Sequence, residues 1–243
     1  STKYTANFTP TISTVSIAPI DPLFSKVKAL LSFNGDLTDR SSTPHGFFDN
    51  TGSATYANSN PFGEATGKSI ALNGTTAIQS TSLDFTIPAS TDFCYEGWVQ
   101  YTTVPSNASG DYHTPGQCFL AGLDSQAISI GYIAYQNINS WFYLLNNSST
   151  PCQGAAPIPT IGTWYFYQVQ RTGSTIDMWV NGVKMCSSTY AGSLGTVGEL
   201  RIGDITAGGD TRYGTIGNIA EVRLTVGATR STVVPTARFP TTM

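Results

Sequence analysis

Apolar and polar residues alternate along most of this 243-residue chain, in short runs broken by Gly, Asn, Pro or Ser. Successive side chains of a strand point to opposite faces, so a period of two marks half-buried strands. The alternation predicts strands at 27–33, 54–57, 69–72, 76–80, 93–101, 118–122, 127–135, 140–145, 163–171, 174–180, 183–188, 199–203 and 217–225. No stretch sustains the helical period. Within DFCYEGWVQY, Phe93, Tyr95, Gly97, Val99 and Tyr101 form the core-facing set, and Cys94, Glu96, Trp98 and Gln100 the other. Glu96 beside Trp98 is either a ligand-contacting pair or a hydrogen-bonded carboxylate on the polar face of a sheet.

The sharpest local signal is STIDMWVNGVKMCSS at Ser174 to Ser188, where Asn181-Gly182 separates two alternating runs. A type I′ turn needs positive φ at both central residues, which Asn and Gly accept, so these runs form a hairpin. A turn at Thr172-Gly173 joins TWYFYQVQR to it and extends the hairpin to a three-stranded meander. Trp164, Phe166, Gln168 and Gln170 share one face of that strand, and Tyr165, Tyr167 and Val169 the other. With aromatics on both sides, the strand is either covered twice or offers one face for recognition.

Residues 1–24 break the pattern. Pro10, Pro19 and Pro22 interrupt them, and proline lacks the donor that a ladder needs. They are expected to form an irregular arm or linker, with residues 25–243 as one all-β, antiparallel two-sheet sandwich. A chain of this length fits a single sandwich. Charged residues make up only 11% of it, so outward positions must be mostly uncharged polar.

The net charge is −3, and the twelve Lys and Arg are scattered. A phosphate backbone demands a basic stripe, so nucleic acid is not an expected partner. No apolar run approaches the ~20 residues of a helical membrane span, and the N-terminus lacks a signal-peptide core. No membrane partner is expected.

Cys94, Cys118, Cys152 and Cys186 are far apart and form no metal or redox motif. Even parity permits two bridges in three connectivities. A core of this size does not require them, and free thiols are the expected state.

The segments KALLSFNGDLTDRSS, KSIALNGTTAIQS, LDFTIPASTDFCYEGWVQY, GTWYFYQVQRTGSTIDMWVNGVKM and GNIAEVRLTVGATR, in that order, resemble the laminin-G-like, concanavalin A-like lectin domain over about residues 26–239. The resemblance implies a two-sheet jelly roll. The versions most similar in wording occur in bacteriophage virion proteins, where the domain closes on a phrase like R-Y-T-A-N-F-T-P. Here KYTANFTP stands at Lys3 to Pro10 and a degraded counterpart, TRSTVVPTARFP, at Thr229 to Pro240. Pentraxins share the fold and a hairpin similar to IDMWVNG. Cys94 resembles the first cysteine of their inter-sheet bridge, but TWYFYQVQ offers no second.

Sugar hydrolysis on this sandwich needs an acid and a nucleophile about 5–5.5 Å apart, typically from an E-x-D-x-E run. None of the fifteen acidic residues falls in one. His45 and His113 neighbour no serine or cysteine in a nucleophile motif, and no phosphate-binding glycine loop is present. The chain is therefore expected not to be an enzyme.

Aromatic platforms for sugar stacking are expected at Tyr135, Trp141 and Tyr143, with Asp111, Tyr112 and His113 as further contacts in the loop SNASGDYHTPGQ. Asp204 and Asp210 in GDITAGGDTRY are the calcium candidates, since oxygen ligands on a loop suit a hard cation. No other cofactor is expected. The function so implied is a virion surface component of a bacteriophage, such as a capsid decoration, fibre or tail-associated protein. It would hold other virion proteins through its arm, offer weak attachment to surface glycans, and be compatible with a homo-oligomer. The alternative is a carbohydrate-binding module of a secreted or cell-surface protein.

Overall fold

The computed structural model describes residues 20–103, 117–122, 127–135, 138–145, 152–195, 198–203 and 214–242. Its strands are β1 (Val27–Leu31), β2 (Phe48–Asp49), β3 (Thr55–Ala57), β4 (Ser69–Asn73), β5 (Ile78–Thr81), β6 (Phe93–Tyr101), β7 (Gln117–Gly122) and β8 (Ile128–Tyr135). They continue with β9 (Ile138–Leu145), β10 (Cys152–Ala155), β11 (Trp164–Thr172), β12 (Thr175–Val180), β13 (Val183–Thr189), β14 (Glu199–Ile202) and β15 (Ile216–Val226). The first sheet has the order β13-β12-β11-β6-β15-β4-β3, with β1 also on β15; the second runs β10-β9-β8-β7-β14-β5-β2. The expected all-β antiparallel sandwich is what the chain forms.

Alternation decides which side chains meet between the sheets. Phe93, Tyr95, Val99 and Tyr101 from β6 enter one core with Ile128, Ile130 and Tyr132 from β8, Tyr167 and Val169 from β11, and Leu200 and Ile202 from β14. The turn at Asn181 (φ 48°) and Gly182 (φ 76°) has the positive angles that its sequence predicts. Gln168 of β11 faces Trp179 of β12, and Met178 of β12 faces Cys186 of β13, which completes the meander.

β2 and β10 fall outside the predicted strands. β2 is two residues long and β10 contains Gly154, so neither carries a readable alternation.

The cysteines depart from expectation. Cys152 on β10 and Cys186 on β13 are joined by a disulfide with Cα atoms 5.9 Å apart. Since β10 and β13 each end a sheet, the bond fastens the two layers along their common edge. Cys94 remains a free, buried thiol, and burial pushes its pKa well up.

The outer face of the first sheet is covered rather than solvated. Residues 227–242 run across it as a strap, and Phe239 seats in a second apolar cluster with Val27, Leu30, Trp98, Phe166 and Ala220. Phe62 adds an edge contact to Trp98, with ring centroids 5.8 Å apart. Both faces of β11 are thereby buried. Residues 20–24 lie against the same surface, with the Asp21 amide donating to the Thr242 carbonyl at 2.9 Å. The expected arm's remaining residues, 1–19, lie outside the described residues.

Candidate ligand face

The strap lies over a cluster of ion pairs. Glu96 is 1% exposed and is held by Arg223 through Nε at 2.8 Å and Nη2 at 2.7 Å. Arg223 also reaches Asp21 at 3.2 Å, and Arg230 approaches Asp21 at 2.9 Å. Arg238 joins Glu221 at 2.6 Å and Glu64 at 2.7 Å. Burial pushes the Glu221 carboxyl up, and the Phe239 amide and Arg238 offset this only in part. Of the two readings Glu96 is thus the hydrogen-bonded carboxylate, on a sheet face that the strap covers. Clefts of about 350 and 540 Å³ flank the strap, and the charges flooring them already have partners.

His45 sits between two carboxylates, with Nδ1 3.1 Å from Asp39 and Nε2 3.3 Å from Asp84. Its ring packs on Phe85 with centroids 4.6 Å apart. Both ring nitrogens thus face carboxylate oxygens rather than a serine or cysteine. Every acidic side chain among the described residues has a hydrogen-bond or ion-pair partner.

The outer face of the second sheet is open at its β2–β5 edge, where Phe48 and Thr81 are exposed, and closes towards Arg201 and Ser129, which are buried. Phe48 on β2 opposes Gln79 on β5, Gln79 opposes Arg201 on β14, and Arg201 opposes Ala121 on β7. Ala121 in turn opposes Ser129 on β8, so one cross-strand row crosses five of the seven strands. Ile78, Leu200 and Ile202 point into the core, so Gln79 and Arg201 point outward, and register carries Phe48 to the same side. Phe48 is 52% exposed. Thr81, one step along β5, is exposed and opposes Glu199.

Arg201 Nη2 donates to Glu199 Oε1 at 2.7 Å. The other guanidinium nitrogens, Nε and Nη1, have no hydrogen-bond partner, nor does Gln79 Oε1 on the neighbouring strand. A buried polar group left unsatisfied costs about 1–3 kcal/mol, more for a charged one, and native proteins concentrate such groups where they function. An exposed aromatic, an amide, a hydroxyl and an ion pair in neighbouring positions form the combination that grips a sugar: a ring face to stack on and polar atoms to fix hydroxyls.

This row includes none of the residues expected from the sequence. Trp141 and Tyr143 are 2% and 1% exposed and belong to the core, so they are corrected from platforms to packing residues. Trp141 packs on Tyr132 with centroids 5.5 Å apart, and the Tyr143 hydroxyl donates to the Ile176 carbonyl at 2.8 Å. Tyr135 ends β8 opposite Ile138. Asp111, Tyr112, His113, Asp204 and Asp210 lie outside the described residues. The strand ends flanking these loops share one rim: Gly217 pairs with Tyr101, and the Thr215 amide donates to Gly203 at 2.7 Å. Among the described residues no group of three or more potential metal ligands comes together.

The profile of the concanavalin A-like lectin/glucanases superfamily matches residues 72–231, and the chain belongs to that family. Similar solved structures include domain 4 of AbnA, an extracellular GH43 arabinanase from Geobacillus stearothermophilus, in complex with arabinotriose. It is 20% identical with a TM-score of 0.57, over 83% of this chain and 93% of that one. The binding domain of botulinum neurotoxin DC in complex with SialylT is 12% identical with a TM-score of 0.54, over 82% and 47%. The enzymatically active domain of bacteriophage CBA120 tailspike protein 2 is 12% identical with a TM-score of 0.52, over 75% and 29%. At these identities the likeness is one of fold. A comparison with curated proteins yields no match.

Proposed function

We propose that this chain is a non-catalytic, glycan-binding sandwich displayed on the surface of a bacteriophage virion. The observation that carries glycan binding is the exposed Phe48 ring at the end of the Phe48–Gln79–Arg201 row, with the accessible Thr81 and Glu199 beside it on the same sheet face. Partnered carboxylates throughout the described residues support a binding role over a hydrolytic one. Similar folds solved with arabinotriose and with SialylT support a saccharide as ligand. The virion setting draws on the closing phrase near residues 229–240 and on the fold shared with a tailspike domain. In that setting the segment before Ile20 attaches the sandwich to other virion proteins, since Asp21 is already held by Arg223 and Arg230 of its own chain, and many weak glycan contacts add up through repetition.

A glycan array probed with the full chain tests the ligand class; an array without a single specific hit overturns it. Mass spectrometry and antibody labelling of purified particles test the setting, and absence of the chain from intact particles overturns it. The second reading, a carbohydrate-binding module of a secreted protein, is favoured by the Cys152–Cys186 disulfide, because such bonds persist in oxidising compartments.

A further inference from the structure

Resting on the glycan-binding reading, we infer that the row on the second sheet selects neutral saccharides and turns acidic ones away. Arg201 and Glu199 form one ion pair, yet their side chains are 6% and 20% exposed respectively. The cation lies beneath, with its unpartnered Nε and Nη1 shut off from the surface, and its partner carboxylate stands nearer the surface.

A ligand laid over the row therefore meets an anion first. One oxygen of Glu199 is taken by Arg201, and the other accepts from a ligand hydroxyl. Thr81, directly opposite Glu199, both donates and accepts. Sugar hydroxyls do both as well, so they match this pair without a net charge. A uronate or sialate carboxylate is an acceptor only and would stand against Glu199, where like charges repel.

Phe48 supplies the ring face. Neighbouring strands lie about 4.8 Å apart, so the span from Phe48 across Gln79 to Arg201 is about 10 Å. A short oligosaccharide bridges it with one ring on Phe48 and hydroxyls on Thr81 and Glu199.

The test uses the full chain and length-matched pairs of neutral and uronate- or sialate-bearing oligosaccharides, on an array and then by titration calorimetry. Neutral members are expected to bind at least about tenfold more tightly than their acidic counterparts. Glu199→Gln should narrow that ratio by strengthening the acidic members. Because Glu199→Gln weakens the hold on Arg201, Thr81→Asp provides a second arm at an exposed position and should widen the ratio. Acidic members bound as tightly as neutral ones, or a ratio that neither substitution moves, would overturn the neutral preference while glycan binding stands. Binding to neither class would remove glycan binding itself, and the preference with it.

Discussion

Arg223 holds its guanidinium carbon 3.8 Å from the centre of the Phe239 ring while its Nε and Nη2 hold Glu96. One side chain of β15 thus clamps the strap from below and neutralises the charge that β6 buries. The sheet face under the strap is consequently part of the core. Phe239→Ala should cost about 3–4 kcal/mol, since it empties a packed site and uncovers the cation. Thermal unfolding should show a midpoint lower by roughly 10 °C for a domain of this size. A midpoint within a degree of the wild type would mean that the strap is ornamental.

Asp21 should make the fold acid-sensitive. Burial pushes its carboxyl up, but Arg230, the Leu23 amide and Arg223 outweigh this, and the pKa lies below its ordinary 3.8. A depressed folded-state pKa contributes stability above the unfolded value, and that contribution is lost as pH falls through the folded one. Denaturant unfolding from pH 7 downward should show this part of the loss below about pH 4. Asp21→Asn should lower stability at pH 7 by about 3–5 kcal/mol, because two buried arginines lose a partner, and should flatten the acid slope.

The Cys152–Cys186 bond closes a loop across a sequence separation of 34, which on chain-entropy grounds stabilises the fold by about 4 kcal/mol. Cys152→Ser with Cys186→Ser should unfold at correspondingly lower denaturant. Cys94 should resist alkylation in the native chain and react once it unfolds, because burial keeps its thiol protonated.

Glycan binding at the row should not need calcium. Glu199 is its one carboxylate, and a calcium ion wants six to eight oxygen ligands. Titrations with EDTA and with calcium should give the same affinity. A loss with EDTA would shift attention to Asp204 and Asp210.

Fold and site differed in how far the sequence disclosed them. Phe93 to Tyr101 alternates cleanly, and Asn181-Gly182 admits essentially one kind of turn, so strand positions and the meander were readable. The strap was not, because Phe239 lies among prolines and threonines with no period, and its partner Arg223 is known only through the fold. Trp141 and Tyr143 misled because an inward aromatic and a sugar platform share the same alternation. Phe48, Gln79 and Arg201 are far apart in sequence and become neighbours only through sheet order. The unpredicted two-residue β2 is what brings Phe48 into the row. Cysteine spacing likewise says nothing of which strands end each sheet.

The most direct test of the account is the affinity of Phe48→Ala for whichever oligosaccharide the wild-type chain binds most tightly. Phe48 is exposed, so the variant should keep its thermal midpoint. It should lose at least about tenfold in affinity, the equivalent of 1.4 kcal/mol of stacking. Wild-type affinity in a folded Phe48→Ala chain would contradict the claim that this face of the second sheet holds the sugar.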